Sequence, residues 1–586
     1  MPYYYTNERN AQIVIALLKA HGIRKIIASP GTTNICLVSS MQRDSYFEMY
    51  SAPEERSAGY MACGLAAESG EPVVITCTGA TASRNYLPAM TEAFYRKLPV
   101  LVITCSRRNY RIGHNIDQVT DRTQLPKDVA KISVQVPLVY DRESEWNDVI
   151  MVNKAILELN HRGCGPVHIN LETNYSTDYS VKQLPNIRAI YRVEAKDEFP
   201  ALVNGRVAIF VGSHLKWNNS LTEAVDFFCE RHNSIVLCDH TSNYKGKYRV
   251  FANVMAQQTI CKSLLLDDID LLIHIGDVHA PGYSLKAKNV WRINPDGELR
   301  DTFGKLKYVF EMTEEEFFNH YLAGNEVNTS FYNTCIDELN VVKNAVSNKL
   351  DSMPFSNAWV ASQTAEFLPE KSSLHLGIQN SLRFWNFFDV PNSVLGYSNV
   401  GGFGIDGSMS SLIGASLSDS NKLYFCVLGD LAFFYDLNSL GNRHVGNNVR
   451  ILLVNNGKGT EFKLTGNPGH LFGEETDKYI AAAGHYGNKS NQLVKHYVED
   501  LGFVYLSAST KEEYLNIKEY FIAPDLYDKP VVLEIFTNSE DEDKALTMIR
   551  EAVVSGQGLV EKRTKQFVKG ILGDKGVSKV KQMIGK

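Results

Sequence analysis

The ten cysteines of this chain contain no C-x-x-C pair. That spacing is what a zinc ribbon or a redox dithiol requires, and thiols this scattered do not suggest a disulfide framework either. They read as reduced thiols in a cytoplasmic protein. No uninterrupted apolar run reaches the roughly 18 residues that would mark a bilayer span. The opening MPYYYTNERNAQ has neither a basic n-region nor an apolar h-region, so no signal peptide is expected. Positive charge is not in excess. The formal net charge is −6, which offers nucleic acid no global basic surface. Between about 191 and 340 no G-x-G-x-x-G follows a strand, so neither FAD nor NAD is expected. Short-period repeats and low-complexity segments are missing too.

What is there is a chain of 586 residues, 44% hydrophobic and 22% charged, the make-up of a soluble globular protein of about three domains. Short apolar runs alternate with helical patterns along most of it. Lys25 to Ala28, Phe47 to Tyr50, Val73 to Cys77, Pro99 to Cys105 and Val167 to Leu171 read as strands of a first unit. Arg206 to Val211, Ser234 to Cys238, Leu271 to Ile275 and Val290 to Ile293 read as strands of a second. Tyr424 to Leu428, Arg450 to Val454, Gly502 to Tyr505 and Pro530 to Phe536 belong to a third. Such alternation predicts α/β architecture with doubly wound parallel sheets. The expected boundaries are 1–190, 191–340 and 341–540. A basic helical extension follows at 541–586, in which Glu561 to Lys586 carries eight Lys/Arg against two acidic residues. Its default reading is a solvated helix or tail, with contact to a membrane surface or partner as the alternative.

The most informative stretch is YFCVLGDLAFFYDLNSLGNRHVGNNVRILLVNNGKGT, Tyr424 to Thr460. A strand ends in Gly429-Asp430, a helix is expected from Phe433 to Leu440, and a second strand ends in Asn455-Asn456-Gly457. Ligands of open parallel sheets sit outside the carboxyl ends of the strands, so Asp430 and Asn456 are placed to share one ligand. Both offer hard oxygen, which suits Mg²⁺ held against phosphates. Either dipeptide alone is an ordinary strand-ending turn; the two flanking one helix are more specific.

This arrangement resembles the fingerprint of the thiamine-diphosphate-dependent decarboxylases and carboligases. The resemblance implies that Asp430, Asn456 and the carbonyl of Lys458 hold Mg²⁺ on the cofactor's diphosphate, with Gly429 and Leu431 beside it. Leu431 departs from the family's usual glycine. Glu-Arg-Ser-Ala-Gly from Glu55, then Gly-Leu-Ala, Thr-Gly-x-Thr-Ala and Asn-Tyr-x-Pro-Ala resemble the pyrimidine-binding domain of the SEPHCHC synthases of menaquinone biosynthesis, which join 2-oxoglutarate to isochorismate. The three units are then a pyrimidine-binding, a central and a diphosphate-binding domain. Glu55 would share a proton with the cofactor's aminopyrimidine and so promote loss of the thiazolium proton. An apolar setting from Ala58, Tyr60, Met61 and Ala62 would help it keep that proton. By position alone, a glutamate in a first helical turn simply complements the helix dipole.

The resemblance further implies that Thr32 touches the cofactor and that Ile405, in the Gly-rich loop YSNVGGFGID, bends it. Gln118, Arg107 and Arg383 would position the substrate. The loop Asn109 to Gln118 looks more like that of acetohydroxyacid synthase, and its His114 reads as a solvated histidine. Glu461 is a further candidate acid/base. Two arginines expected of a SEPHCHC synthase are replaced, by Thr33 in SPGTTN and Val400 in YSNVGG. A charge-assisted hydrogen bond contributes about 1.5–3 kcal/mol, so their loss points to retained cofactor chemistry on changed substrates. The reaction expected is decarboxylation of a 2-oxo acid donor and transfer to an unidentified acceptor, by a homodimer or dimer of dimers. The authentic synthase and a simple 2-oxo acid decarboxylase stay open as alternatives, as does a non-catalytic cofactor-binding scaffold.

Overall fold

The computed structural model describes residues 4–279, 285–322 and 326–554, with the backbone alone at 487–488. The basic stretch expected at Glu561 to Lys586 lies outside these residues. The chain divides into two compact units, Met1–Phe199 with Pro295–Glu311, and Pro200–Asn294 with Met312–Lys586.

The first unit contains β1 (Lys25–Ala28), β2 (Glu48–Ser51), β3 (Val73–Thr78), β4 (Val100–Ser106), β5 (Ser133–Val136), β6 (Val167–Glu172) and β7 (Tyr191–Glu194). Strands β1 to β6 form a parallel sheet of order β2-β1-β3-β4-β6-β5. In the second unit β8 (Val207–Val211), β9 (Ser234–Leu237), β10 (Arg249–Val250), β11 (Ile269–Ile275) and β12 (Ala287–Ile293) lie in the order β10-β9-β8-β11-β12. The chain then returns to the first unit for β13 (Leu306–Glu311), which pairs in parallel with β7. The last sheet, in the second unit, comprises β14 (Ser373–Leu376), β15 (Leu395–Tyr397), β16 (Tyr424–Gly429), β17 (Val449–Asn455), β18 (Val504–Ala508) and β19 (Val531–Phe536), in the order β15-β14-β16-β17-β19-β18. All three sheets are parallel and interleaved with helices, as the alternation of patterns implied. Helices cover both faces of the two six-stranded sheets, so their inner strands are buried almost throughout and read as apolar runs. In β17, VRILLVN, every residue is buried.

Counted from its own first strand, each six-stranded sheet has the same order, 2-1-3-4-6-5. The order reverses between the first and third strands. The carboxyl ends beside such a switch form the crevice where ligands bind. One glycine at that end of the first sheet is fixed by packing: a Cβ on Gly31 would lie 1.8 Å from Thr78 Cγ2.

Two of the elements that differ from expectation have a local cause. The helix read from Phe433 to Leu440 begins earlier, as Asp430–Tyr435, and gives way to a 3-10 turn at Leu437–Gly441. The break falls at buried Asp436, whose carboxylate accepts the Ser410 amide at 2.7 Å instead of facing solvent. The strand read from Gly502 to Tyr505 starts later, at Val504, because Gly502 (φ 91°) closes the preceding helix by donating to Glu499 O. The 541–586 extension begins inside the packing of the second unit. Ala545, Leu546 and Ile549 of the helix Ser539–Arg550 are buried, and buried Glu542 accepts the Asn357 amide at 2.9 Å. No helix among the described residues is long and apolar enough to cross a membrane.

One buried acid has a measurable consequence. Asp148, on the helix Arg142–Glu158, is 0% exposed, and neither carboxylate oxygen has a hydrogen-bond partner. Burial pushes its pKa up to about 8, with the charges of Glu172 and Glu145 adding to the effect. The folded chain therefore holds a proton there that the unfolded chain releases near pH 4. Its contribution to stability is full below that point and is lost as pH rises to about 8. Asp148→Asn is expected to remove this slope and to stabilise the chain at pH 8 by about 3 kcal/mol. Urea midpoints of both proteins between pH 5 and 8 check it; parallel midpoints across that range would refute it.

Candidate functional site

Adjacent strands β16 and β17 end at the same level, with Gly429 opposite Val454. Asp430 follows Gly429 and Asn456 follows Asn455, so the two tips expected to share a ligand do end neighbouring strands. Asp430 is 5% exposed. It accepts the Leu431 amide at 2.9 Å, yet burial holds its pKa up at about 7. No lysine or arginine ion-pairs with it among the described residues. The Oδ1 of Asn456 is buried with no donor facing it. Nothing lies within 4 Å of where a Gly429 side chain would start. The carbonyl of Lys458 accepts one hydrogen bond, from Thr460 N at 2.8 Å, which leaves a lone pair. Its ammonium, which would repel a cation, is held 2.5 Å from Asp477. A carboxylate without a counter-charge, a carboxamide oxygen without a donor and a carbonyl form a hard-oxygen set that fits Mg²⁺ bridging to a diphosphate. Behind it, Asn455 donates to buried Glu534 at 2.7 Å, as does Tyr505 OH at 2.7 Å. Leu431 is half-buried beside the tip, and Ile405 packs part-buried on the apolar cluster of this sheet.

In the first unit, the two glutamates that open the helix Glu55–Ser69 divide the work. Glu54 is the cap. Its carboxylate accepts Ser57 Oγ at 2.7 Å, Ser57 N at 2.8 Å and Arg56 N at 3.1 Å, which holds it below the usual carboxylate range. Glu55 is thereby free of capping. It is half-buried, and its Oε2 accepts Asn85 Nδ2 at 3.0 Å. The apolar setting expected around it is only half present. Ala58 and Ala62 are buried in the core, but Tyr60, on the opposite face of the helix, is 48% exposed and Met61, at the flank of the buried face, 47%. Asn85 went unassigned in the sequence, although the Asn-Tyr-x-Pro-Ala motif begins with it. The next residue of that motif, Tyr86, is buried and donates to Ser29 Oγ at 3.1 Å.

Arg107, at the end of β4, is held by Asp117 at 3.0 and 3.3 Å and by Tyr175 OH at 2.9 Å. Gln118 is exposed on the same loop with a left-handed φ of 58°. Sequence reasoning missed the anchor of this loop, Arg122. It is 1% exposed and donates to Gly79 O, Thr120 Oγ1 (2.6 Å) and Asn170 Oδ1 (3.2 Å). His114 is exposed, and so is Thr32. Thr33 is buried and donates to Cys105 O at 2.6 Å; Val400 is buried as well. In the second unit, Arg383 does not stand ready for a substrate. It makes a bidentate pair with Glu461, at 2.6 and 3.0 Å, which also occupies the candidate acid/base.

Residues 9–125 match the family model described as "Thiamine pyrophosphate enzyme, N-terminal TPP binding domain". The chain is 30% identical over 573 residues to the 2-succinyl-5-enolpyruvyl-6-hydroxy-3-cyclohexene-1-carboxylate (SEPHCHC) synthase of Bacteroides fragilis, covering 92% of this chain and 98% of that one. The chain belongs to the SEPHCHC synthase family of thiamine-diphosphate-dependent enzymes. The synthase of the same name from Phocaeicola vulgatus is 31% identical over 567 residues, with 93% and 98% covered. Among solved structures, a thiamine diphosphate-dependent 4-hydroxybenzoylformate decarboxylase from Rhodococcus jostii RHA1 is matched at TM-score 0.38 and 15% identity, over 90% of this chain and 99% of that one. Membership in the SEPHCHC synthase family agrees with the resemblance carried by the Glu55 and Asp430 segments.

Proposed function

We propose that the chain is a thiamine-diphosphate- and Mg²⁺-dependent carboligase that decarboxylates a 2-oxo acid and transfers the resulting acyl-anion equivalent to an acceptor. The observation that carries this reading is the pair of neighbouring strand tips bearing Asp430, buried without a counter-charge, and the donorless oxygen of Asn456. Asp430, Asn456 and Lys458 O hold the metal. When bound, thiamine diphosphate supplies a nucleophilic carbon and accepts the electron pair left by CO₂. Glu55, oriented by Asn85, would face the aminopyrimidine and exchange a proton with it. Ile405 and Thr32 would contact the cofactor, and Gln118, with Arg107 once released from Asp117, would orient the substrate.

For the substrates, the names of the relatives support the SEPHCHC synthase reaction, with 2-oxoglutarate and isochorismate, better than a changed pair. One observation favours the second reading: Thr33 and Val400 are buried where arginines are expected, so neither reaches a substrate carboxylate. Purified protein assayed with 2-oxoglutarate and isochorismate separates the two. Rapid turnover selects the synthase; CO₂ release from another 2-oxo acid alone selects changed substrates. No CO₂ release from any 2-oxo acid overturns both.

Assembly follows from the same reading, in which the Glu55 segment of one copy meets the Asp430 segment of another. The helix face that exposes Tyr60 and Met61 also carries Gly64, and the helix Ser408–Ser416 exposes Ser410, Ser411 and Gly414. Small residues of this kind allow close helix packing between subunits. Light scattering is expected to give a dimer or a dimer of dimers, and a fully active monomer would overturn the shared site.

A further inference from the structure

We propose that Asp477 is a positioning residue for the metal site: its carboxylate takes up the ammonium groups of Lys458 and Lys463 and clasps the metal-binding loop on the side away from the metal. This deepens the reading above and rests on Asp430, Asn456 and Lys458 O being the metal ligands.

The loop that follows β17 carries two lysines, Lys458 and Lys463, and one acid, Glu461. That acid is already taken by Arg383. A divalent cation on the Lys458 carbonyl would therefore meet an ammonium on the same residue, at the end of a flexible four-carbon stem. Repulsion between the two grows in a partly buried setting, where water screens less. Asp477, 19 residues on from Lys458 in the helix Glu475–Tyr479, occupies both lysines at once. Its Oδ2 accepts Lys458 Nζ at 2.5 Å and its Oδ1 accepts Lys463 Nζ at 2.6 Å. The side chains of Asp477, Lys458 and Lys463 are only 28%, 22% and 16% exposed. Burial works against a charge on Asp477, but the two lysines outweigh it and hold the carboxyl below the usual carboxylate range. Glu474 and Glu475, just before it, are exposed.

The backbone gives the clasp a direction. The carbonyl of Lys458 and the N–H of Gly459 belong to one trans peptide and point to opposite sides of it. Gly459 N donates to Ala481 O at 2.6 Å. The segment that bears Asp477 and Ala481 thus lies on the N–H side, and the Lys458 carbonyl faces the other way. The clasp is itself anchored: Ala481 N donates to Thr476 O at 2.8 Å, and the hydroxyl of fully buried Thr476 donates to Gly469 O at 2.6 Å. One short segment therefore orients the carbonyl through its backbone and withdraws the competing cations through Asp477.

The test titrates full-length protein with Mg²⁺ at saturating thiamine diphosphate and follows cofactor binding by quenching of protein fluorescence. Asp477→Asn is expected to raise the Mg²⁺ concentration for half-saturation about 10- to 100-fold, the usual effect of losing a partner behind the ligands. Glu474→Gln removes an equal charge three residues away and is expected to change it by less than about 2-fold. The triple variant Lys458→Met/Lys463→Met/Asp477→Asn is expected to return it to within about 3-fold of wild type, because the cations that needed holding are gone. At saturating Mg²⁺, the KM of Asp477→Asn for the best 2-oxo acid donor should not change. A folded Asp477→Asn protein with wild-type half-saturation would overturn the proposal. So would a triple variant no better than Asp477→Asn, which would make the role one of packing, or a lower KM, which would show the freed lysines serving the substrate. The triple variant leaves no unpaired charge in the cluster, so it stays measurable if Asp477→Asn does not fold; a half-saturation about 10-fold or more above wild type would then refute the charge role. An Asp430→Asn protein that binds Mg²⁺ as the wild type does would overturn the metal site itself, and this proposal with it.

Discussion

Glu55→Gln is expected to abolish most CO₂ release while thiamine diphosphate still binds. The substitution keeps the size of the side chain and an oxygen to accept from Asn85, so the first helical turn, capped by Glu54, stays intact. What it removes is the ability to hold and return a proton. Losing a positioned acid–base group costs about 10²- to 10⁴-fold in rate. The dissociation constant of the cofactor, followed by quenching of protein fluorescence, should move far less than kcat. This split also decides against a non-catalytic scaffold, for which the substitution would change nothing because there would be no turnover to lose. A variant with wild-type kcat would remove Glu55 from the chemistry and, with it, the reason for assigning catalysis to this chain.

Asp430→Asn is expected to act in opposite directions on the empty and the loaded protein. Without metal, a carboxylate 5% exposed and lacking a counter-charge destabilises the fold, which is why burial holds its pKa near 7. The carboxamide carries no charge to desolvate and keeps an acceptor for the Leu431 amide, so the variant without cofactor should be more stable at pH 8 by about 1–2 kcal/mol. With Mg²⁺ and thiamine diphosphate the order reverses. The wild type gains a charge-neutralised metal site and the variant does not, so cofactor affinity should fall by about 100-fold or more. Melting temperatures of both proteins with EDTA, and then with saturating Mg²⁺ and cofactor, make the comparison. If the cofactor raised the two melting temperatures equally, Asp430 would not be a metal ligand.

How much of this was legible in the chain depends on where each signal is stored. The strands β16 and β17 could be read directly, because a parallel strand covered on both faces must be apolar along its length, and the polar residue that ends it is conspicuous. Asp430 and Asn456 were visible for that reason. Glu54 and Glu55 were not separable in the same way. Two adjacent carboxylates have the same local propensity to cap a helix, and only the extended backbone at Glu54 (φ −101°, ψ 120°) assigns the capping to one of them. Arg383 and Glu461 are 78 residues apart, so the pair that occupies both leaves no trace in either local pattern.

The amino-acid sequence by itself determined the parallel α/β architecture and the polar residues that end its strands, since burial of strands and the chemistry of their tips depend on residue type and short-range order. The tertiary structure alone decided which donors remain free at those tips, because hydrogen bonds and ion pairs are shared out between segments far apart in the chain. That allocation turns Arg383 inward to Glu461 and releases Glu55 from capping.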